Sequence, residues 1–317
     1  MITADKGVQL EVLDWKGTGR PVILLSGLGD TAHIFDDFAP KLTGTYHVYG
    51  ITRRGYGASS RPADGYGADR LGDDVVAVLD VLKLNKPILV GESIAGEELS
   101  SIATRCPERI AGAVYLEAAY SFALYDPKVG DWHLDLPVLQ KQLELFAKQT
   151  RYSRPIVHEL IDTDLPVFLK DLQNMRDYWE NLPQRGSDPP PPTAADRASF
   201  PAYRAYQVRV QGFTFPEAEL RNEFVTNSDG SVGRWIPNEH NGLVFDGQRK
   251  FTEPRVPVLA IFAMGNGHGT EIAAASLERL VPSAHVVRLS HADHQVFLSN
   301  EADVLKEVKS FIDSLPE

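Results

Sequence analysis

Four short apolar runs, PVILLSG (21–27), YHVYGIT (46–52), KPILVGE (86–92) and AGAVYLE (111–117), each stop at small or polar residues. Such runs, rich in β-branched and aliphatic residues and lacking polar alternation, suit strands buried on both faces, the condition of a parallel sheet. Parallel neighbours need a crossover between them, and the gaps carry helical patterns. Leu71, Val75, Val78, Leu79 and Leu82 recur at helical spacing within 69–84, and a second helical pattern covers 94–105. The same grammar returns with VPVLAIFAM (256–264), a helical stretch around 271–280, SAHVVRLS (283–290) and the amphipathic EADVLKEVKSFIDSL (301–315). The expectation is an α/β fold with a mostly parallel central sheet flanked by helices. A chain of 317 residues, 43% of them hydrophobic, can bury a core of that size.

Between the two stretches the grammar breaks. LPVLQKQLELFAKQ (136–149) and LPVFLKDLQNMRDYWENL (165–182) read as helices, the proline run SDPPPPTAAD (187–196) as a stiff connection, and NSDGSVG (227–233) as a turn. Neither flanking stretch is long enough to close a core by itself. The boundaries therefore read as a first core half over 1–122, an inserted, mainly helical cap over 123–253, and a second core half over 254–317. Trp132, Trp179, Tyr203, Tyr206, Phe213 and Phe215 are expected in the core of that cap, some of them facing a cleft.

Charge narrows the partners. A net charge of −11 disfavours nucleic acid and anionic membranes, which call for clustered Lys and Arg. A small, neutral or weakly polar molecule is the easier ligand. Cys106 is the single cysteine, so neither an intrachain disulfide nor a cysteine-based zinc cluster can form. No apolar run reaches the ~18 residues of a spanning helix. The chain as written reads as soluble and cytoplasmic, with export open if a leader has been removed. HADH (291–294) and HGTE (268–271) lack metal-ligand spacing, and no cofactor or metal is expected.

In VGESIAGEEL (90–99), Ser93 directly follows a strand and precedes a helix. Serine there is either a helix N-cap or a nucleophile held out on a sharp turn. A sharp turn brings two backbones together and needs small flanking residues, which Gly91 and Ala95 provide, with Gly96 just behind.

At this point the chain resembles the α/β-hydrolase family, over both core halves. LLSGLGDTAHIF (24–35) resembles the family's His-Gly-x-Gly loop, with Ser26 in place of the histidine. ITRRGYGASSRP (51–62) resembles its Asp-x-Arg-Gly-x-Gly-x-Ser segment, with Thr52 in place of the aspartate. SHADHQVFLSNEADVLKEVKSFI (290–312) resembles its terminal histidine loop and last helix. The resemblance implies Ser93 as nucleophile and His294 as base, with His291 the competitor three residues away. His33, beside the first loop, would line the pocket or cap a helix.

The acid is displaced. The family most often places it after the strand that follows the cap, but VLAIFAMGNGHGTE offers no carboxylate before Glu271. Certain haloalkane dehalogenases instead carry it at the end of the strand after the nucleophile helix, where this chain has Glu117. A carboxylate ending a buried strand needs a partner, and an imidazole N–H suits it. Backbone amides or an arginine such as Arg53 or Arg54 are the structural alternative. Glu271 is the next candidate, while Asp293 is badly placed for the far ring nitrogen. The oxyanion donors would be the amides of Leu28 and Ile94. Glu92, Glu97 and Glu98 read as charges complementing a helix dipole, and Arg53 and Arg54 as a solvated or core-bracing pair.

These residues imply a serine hydrolase of carboxylic esters working through an acyl-enzyme on a Ser-His-Glu triad. Amide or carbon–carbon hydrolysis on the same triad, or a binding receptor with little turnover, are the alternatives. Serine at 93 weighs against the dehalogenase and epoxide hydrolase branches, which use aspartate there. Substrate identity and oligomeric state are not readable from the sequence.

Overall fold

The computed structural model describes residues 1–5, 7–120, 122–126, 128–129, 158, 161–162, 165–180, 189–246, 251–264 and 268–316. Its strands are β1 (Ile2–Thr3), β2 (Gln9–Leu10), β3 (Val12–Lys16), β4 (Pro21–Leu25), β5 (His47–Ile51), β6 (Ile88–Glu92), β7 (Gly112–Leu116), β8 (Phe224–Thr226), β9 (Val232–Trp235), β10 (Val258–Ala263) and β11 (His285–Leu289). The α-helices are α1 (Ala68–Leu82), α2 (Gly96–Arg105), α3 (Leu165–Glu180), α4 (Phe200–Gln211), α5 (Glu217–Glu223), α6 (Asn241–Asp246), α7 (His268–Leu280), α8 (Val296–Ser299) and α9 (Glu301–Ser314). The helix expected over 136–149, Trp132 and the side chain of Trp179 lie outside the described residues.

Seven strands form one sheet in the order β11-β10-β7-β6-β4-β5-β3. All neighbours are parallel except β3, which pairs antiparallel with β5 at the edge. The six apolar runs are its six parallel strands. The antiparallel edge had no sequence expectation, because the alternating VLDWK pattern is short and half polar. β10 and β11 join next to β7, so both flanking stretches build a single sheet.

Alternation along each strand divides the core. Val22, Leu24, Ile88, Val90, Val114, Leu116, Leu259 and Ile261 face one layer, formed with Phe35, Phe38, Phe297 and Val304, Val308 and Ile312 of α9. Ile23, Leu25, Leu89, Tyr115 and Phe262 face the other, against Val75 and Leu79 of α1, Leu99 and Ile102 of α2 and Leu277 of α7. Burial of both sheet faces explains why those strands read as continuous apolar runs.

From β4 the chain steps one way to β5, then returns through α1 past β4 to β6. Strand order thus reverses between β4 and β6, and a crevice outside the carboxyl ends of these strands is where such sheets bind ligands. Residues 200–235 form a separate small cluster in which Phe200, Tyr203, Tyr206, Leu220 and Val232 pack with Phe215 and Phe224. The expected turn over 227–233 connects the β8–β9 hairpin. Among the described residues no helix is long and apolar enough to cross a membrane.

Candidate active site

Ser93 stands at the reversal point, at the carboxyl end of β6. Its φ is +52°, a left-handed backbone that a serine adopts only under constraint, and a 3-10 turn over Ser93–Ala95 leads into α2. The tightest approach is one residue later than the sequence pattern suggested. Gly96 sits against the carbonyl of Ala118, and a side chain there would collide with it. Gly96 thus lets α2 approach the segment after β7, while Gly91, where a Cβ would lie 2.9 Å from Leu99 and 3.1 Å from Ala95, lets β6 approach α2 as its small size implied.

His294 Nε2 lies 2.9 Å from Ser93 Oγ. On the far side of the ring, His294 Nδ1 is 3.5 Å from Glu117 Oε2. Glu117 follows β7 with φ +49° and is fully buried. It also accepts hydrogen bonds from the Ala263 amide and the Tyr120 hydroxyl, so the backbone-amide role foreseen as an alternative coexists with the histidine contact. Burial by itself would lower the His294 imidazole. Glu117, Glu92 and Asp293 outweigh it and raise the group to about 9.

The competing residues lie elsewhere. Glu271 pairs with Arg288 at 3.2 Å on the surface. His291 is exposed, with φ +60°. Asp293 accepts from the backbone amide of His294 rather than from its ring. His33 neither lines the cleft nor caps a helix; it is paired with Asp36 at 2.8 Å and Glu11 at 3.7 Å, and those carboxylates raise it to about 10.

The loop after β4 is braced from beneath. Arg53 donates to the carbonyls of Ser26 at 2.8 Å and Gly27 at 3.1 Å, and its Nε pairs with buried Glu98 at 2.5 Å. Ser26 Oγ closes the loop by donating to the Asp30 carbonyl at 3.0 Å. Thr52 accepts from the Ala32 amide at 3.0 Å and donates to Glu11 at 2.7 Å. Ser26 thus closes the loop on Asp30, and Thr52 ties Ala32 to Glu11, each through its hydroxyl. Arg54 pairs with buried Asp74 at 2.6 Å. Both arginines brace the core rather than meet solvent. Leu28 and Ile94 belong to one apolar cluster with Tyr56, Tyr66, Leu71, Phe122 and Val244.

Glu97 and Glu98 lie in the first turn of α2, as the dipole reading requires, but are buried at 2% and 3% exposure, whereas Glu92 falls outside the helix, at the end of β6, at 1% exposure. Sequence reasoning also passed over Asp30, Glu219 and Glu223, whose carboxylate atoms all lie within 4.8 Å of one another. Among the described residues these could offer ligands to a cation. Glu219 is already engaged by the amide and hydroxyl of Thr31. Burial, aided by repulsion from Asp30, pushes Glu219 up and takes Glu223 to about 8. Burial likewise takes Asp30 to about 6. The group joins the loop after β4 to α5. A cleft of about 340 Å³ opens beside it, lined by Leu28–Thr31, Gly57, Arg61, Asn222, Glu223 and residues 235–241; Ser93 and His294 are not among its lining residues.

Residues 20–301 match the family described as "alpha/beta hydrolase fold". The AB hydrolase superfamily protein YisY of Bacillus subtilis (strain 168) is 39% identical over 98 residues, 31% of this chain and 35% of that protein. The 2-hydroxymuconate semialdehyde hydrolase of Pseudomonas sp. (strain CF600) is 28% identical over 160 residues, 48% of this chain and 55% of that protein. The matched region spans about a third to a half of the length of these curated relatives. Among solved structures, E-2-(acetamidomethylene)succinate hydrolase superposes with a TM-score of 0.62 at 19% identity, covering 97% of this chain and 96% of that one. Esterase RhEst1 from Rhodococcus sp. ECU1013 superposes with a TM-score of 0.58 at 18% identity, covering 99% and 98%. At such identities the structural likeness speaks for the fold.

Proposed function

The chain belongs to the α/β-hydrolase fold family; from that premise we propose that it is a hydrolase, and specifically a serine esterase acting on a small-molecule carboxylic ester. The observation that carries this reading is the 2.9 Å contact between Ser93 Oγ, on its left-handed turn, and His294 Nε2. Serine is a poor nucleophile until a base takes its proton, and an imidazole within hydrogen-bond reach is the base that neutral water allows.

In the proposed cycle Ser93 Oγ attacks the acyl carbon while His294 Nε2 takes its proton. Glu117 holds the ring and balances the imidazolium at Nδ1. The amides of Leu28 and Ile94 receive the oxyanion. His294 returns the proton to the departing alkoxide, leaving an acyl-serine. Water, deprotonated by the same imidazole, then releases the acid and restores Ser93. An ester asks least of this arrangement, because an alkoxide departs more readily than an amide anion or a carbanion. Asn222, Glu223 and residues 235–241, which line the cleft beside Leu28, are proposed to contribute to the choice of acyl and alcohol parts.

The test is hydrolysis of a graded series of p-nitrophenyl acyl esters by the wild type and by Ser93→Ala. Turnover that falls at least about 10⁴-fold in Ser93→Ala is the expected result. A wild type no faster than Ser93→Ala on every ester overturns the assignment.

A further inference from the structure

Glu92 closes β6 immediately before Ser93 and is 1% exposed. Neither of its carboxylate oxygens accepts a hydrogen bond of acceptable geometry from a described residue. A buried carboxyl left in that condition costs stability, so its placement calls for an explanation. The neighbours show where it points. Oε1 lies 3.5 Å from His294 Nε2. On the other side the carboxyl fills the space that a side chain at Gly27 would need: a Cβ there would collide with Oε2 and lie 3.1 Å from Cδ and 3.2 Å from Ser93 Cβ. Gly27 thus makes room for Glu92 beneath the loop after β4.

The imidazole of His294 is consequently bracketed by two carboxylates, Glu117 at Nδ1 and Glu92 at Nε2, each at 3.5 Å. Nε2 has a single in-plane position for a proton or a lone pair. Ser93 can surrender its proton only to the lone pair. Glu92 is best satisfied by a proton shared with the same nitrogen. Resting on the serine-nucleophile reading above, we propose that Glu92 is a positioning residue that competes with Ser93 for His294 Nε2, holding one proton there until it is lost to solvent.

Two protonation patterns have the same proton count: neutral Glu92 donating to neutral His294, and ionised Glu92 accepting from the imidazolium. Loss of one proton from either leaves ionised Glu92, neutral His294 and a free lone pair facing Ser93 Oγ. The same carboxylate then lies beside the imidazolium that forms during attack. Burial drives the Glu92 carboxyl up to about 8, with Asp30 adding to the rise and His294, the Gly27 amide and Arg53 opposing it. The charged groups facing the pair are Glu117 from the end of β7, Asp30 from the loop after β4, Arg53 from the loop after β5 and Asp293 beside His294. Arg53 is already committed to Glu98 and two carbonyls.

The experiment pairs two readouts on wild type, Glu92→Gln and Glu92→Met, each checked by thermal melting. The His294 ring is titrated by NMR with ¹⁵N-labelled histidine, and Ser93 is labelled with a fluorophosphonate at pH 5 to 10. Both variants keep the side-chain length and remove the titrating group. The expected result is that His294 titrates at least one pH unit lower in both, with the labelling profile moving equally, so that near pH 6.5 Ser93 reacts at least about tenfold faster than in wild type. A His294 titration unchanged in both variants overturns the inference. A titration that moves while Ser93 takes no label at any pH overturns instead the nucleophile reading, and the competition with it.

Discussion

Replacing Gly96 by alanine puts the geometry of the turn to a quantitative test. A Cβ at this position would lie 2.8 Å from Ala123 Cβ and 3.0 Å from the carbonyl carbon of Ala118, nearer still to its oxygen. Carbon pairs settle at about 3.5–4.0 Å, so roughly 1 Å of movement is required. The obstacle is backbone, which cannot rotate aside. Relief has to come from the Ser93 turn on one side or the Glu117–Ala118 segment on the other. Either movement opens the 2.9 Å and 3.5 Å contacts of His294. A misplacement of about 1 Å costs on the order of 100-fold in rate, and overpacking about 1–3 kcal/mol of stability. The assay is kcat on a p-nitrophenyl ester together with the melting temperature, with Gly44→Ala as control, since a Cβ at Gly44 meets nothing within 4 Å. A Gly96→Ala protein with the wild-type kcat and melting temperature refutes the reasoning. A lower melting temperature with unchanged kcat shows that the close approach serves folding and not the site.

Glu117→Gln lowers kcat by about 10³–10⁴-fold while the fold persists, as expected when an imidazole loses its orienting charge, whereas Glu271→Gln, cut from its surface pair with Arg288, leaves kcat unchanged. Steady-state kinetics of the two variants side by side decide between the acids. Arg53→Leu strands Glu98 as an unpaired buried charge and costs about 3–5 kcal/mol in urea denaturation. Adding Glu98→Leu recovers most of that stability but not kcat, because the Ser26 and Gly27 carbonyls remain without their donor. The Asp30, Glu219 and Glu223 cluster makes stability fall as pH rises. Folded carboxyls raised to about 6 and about 8 bind more protons than the unfolded chain, so their cost is absent below about pH 4 and complete above about pH 8. Glu223→Gln flattens that dependence in melting curves taken from pH 4 to 9; an equally steep profile in the variant sinks the account.

Elements buried on both faces were the legible ones. The five interior parallel strands and α1, α2 and α9 announce themselves because most residues along the strands, and one stripe of each helix, must be apolar, whereas β11, at the opposite edge from β3 and only half-buried, was read from its β-branched VV pair. β3 escaped notice for the opposite reason: an edge strand with one wet face carries no continuous run. Ser93 and His294 were legible through their neighbours in sequence, and Glu117 through the cost of ending a buried strand in a carboxylate. The same cost argument applied to Glu92, which also ends an apolar run, but grouping it with Glu97 and Glu98 of the following helix drew a dipole explanation instead. Asp30, Glu219 and Glu223 had no linear signal. They are nearly 200 residues apart along the chain, and only the docking of α5 onto the loop after β4 unites them.

Ser93 and Glu117 close neighbouring strands and lie 24 positions apart, both upstream of residues 123–253. Only His294 arrives from the far side. The strand that follows that segment, β10, contributes the Ala263 amide, a backbone group that any residue there could offer. On the proposed triad, a change in the length of that segment that keeps Ala123 against Gly96 would leave Ser93 and Glu117 at the ends of their own strands. Under the proposed function, specificity can drift in one part of the chain while the chemistry stays anchored in another, which would make this protein a suitable frame for segment-swap libraries.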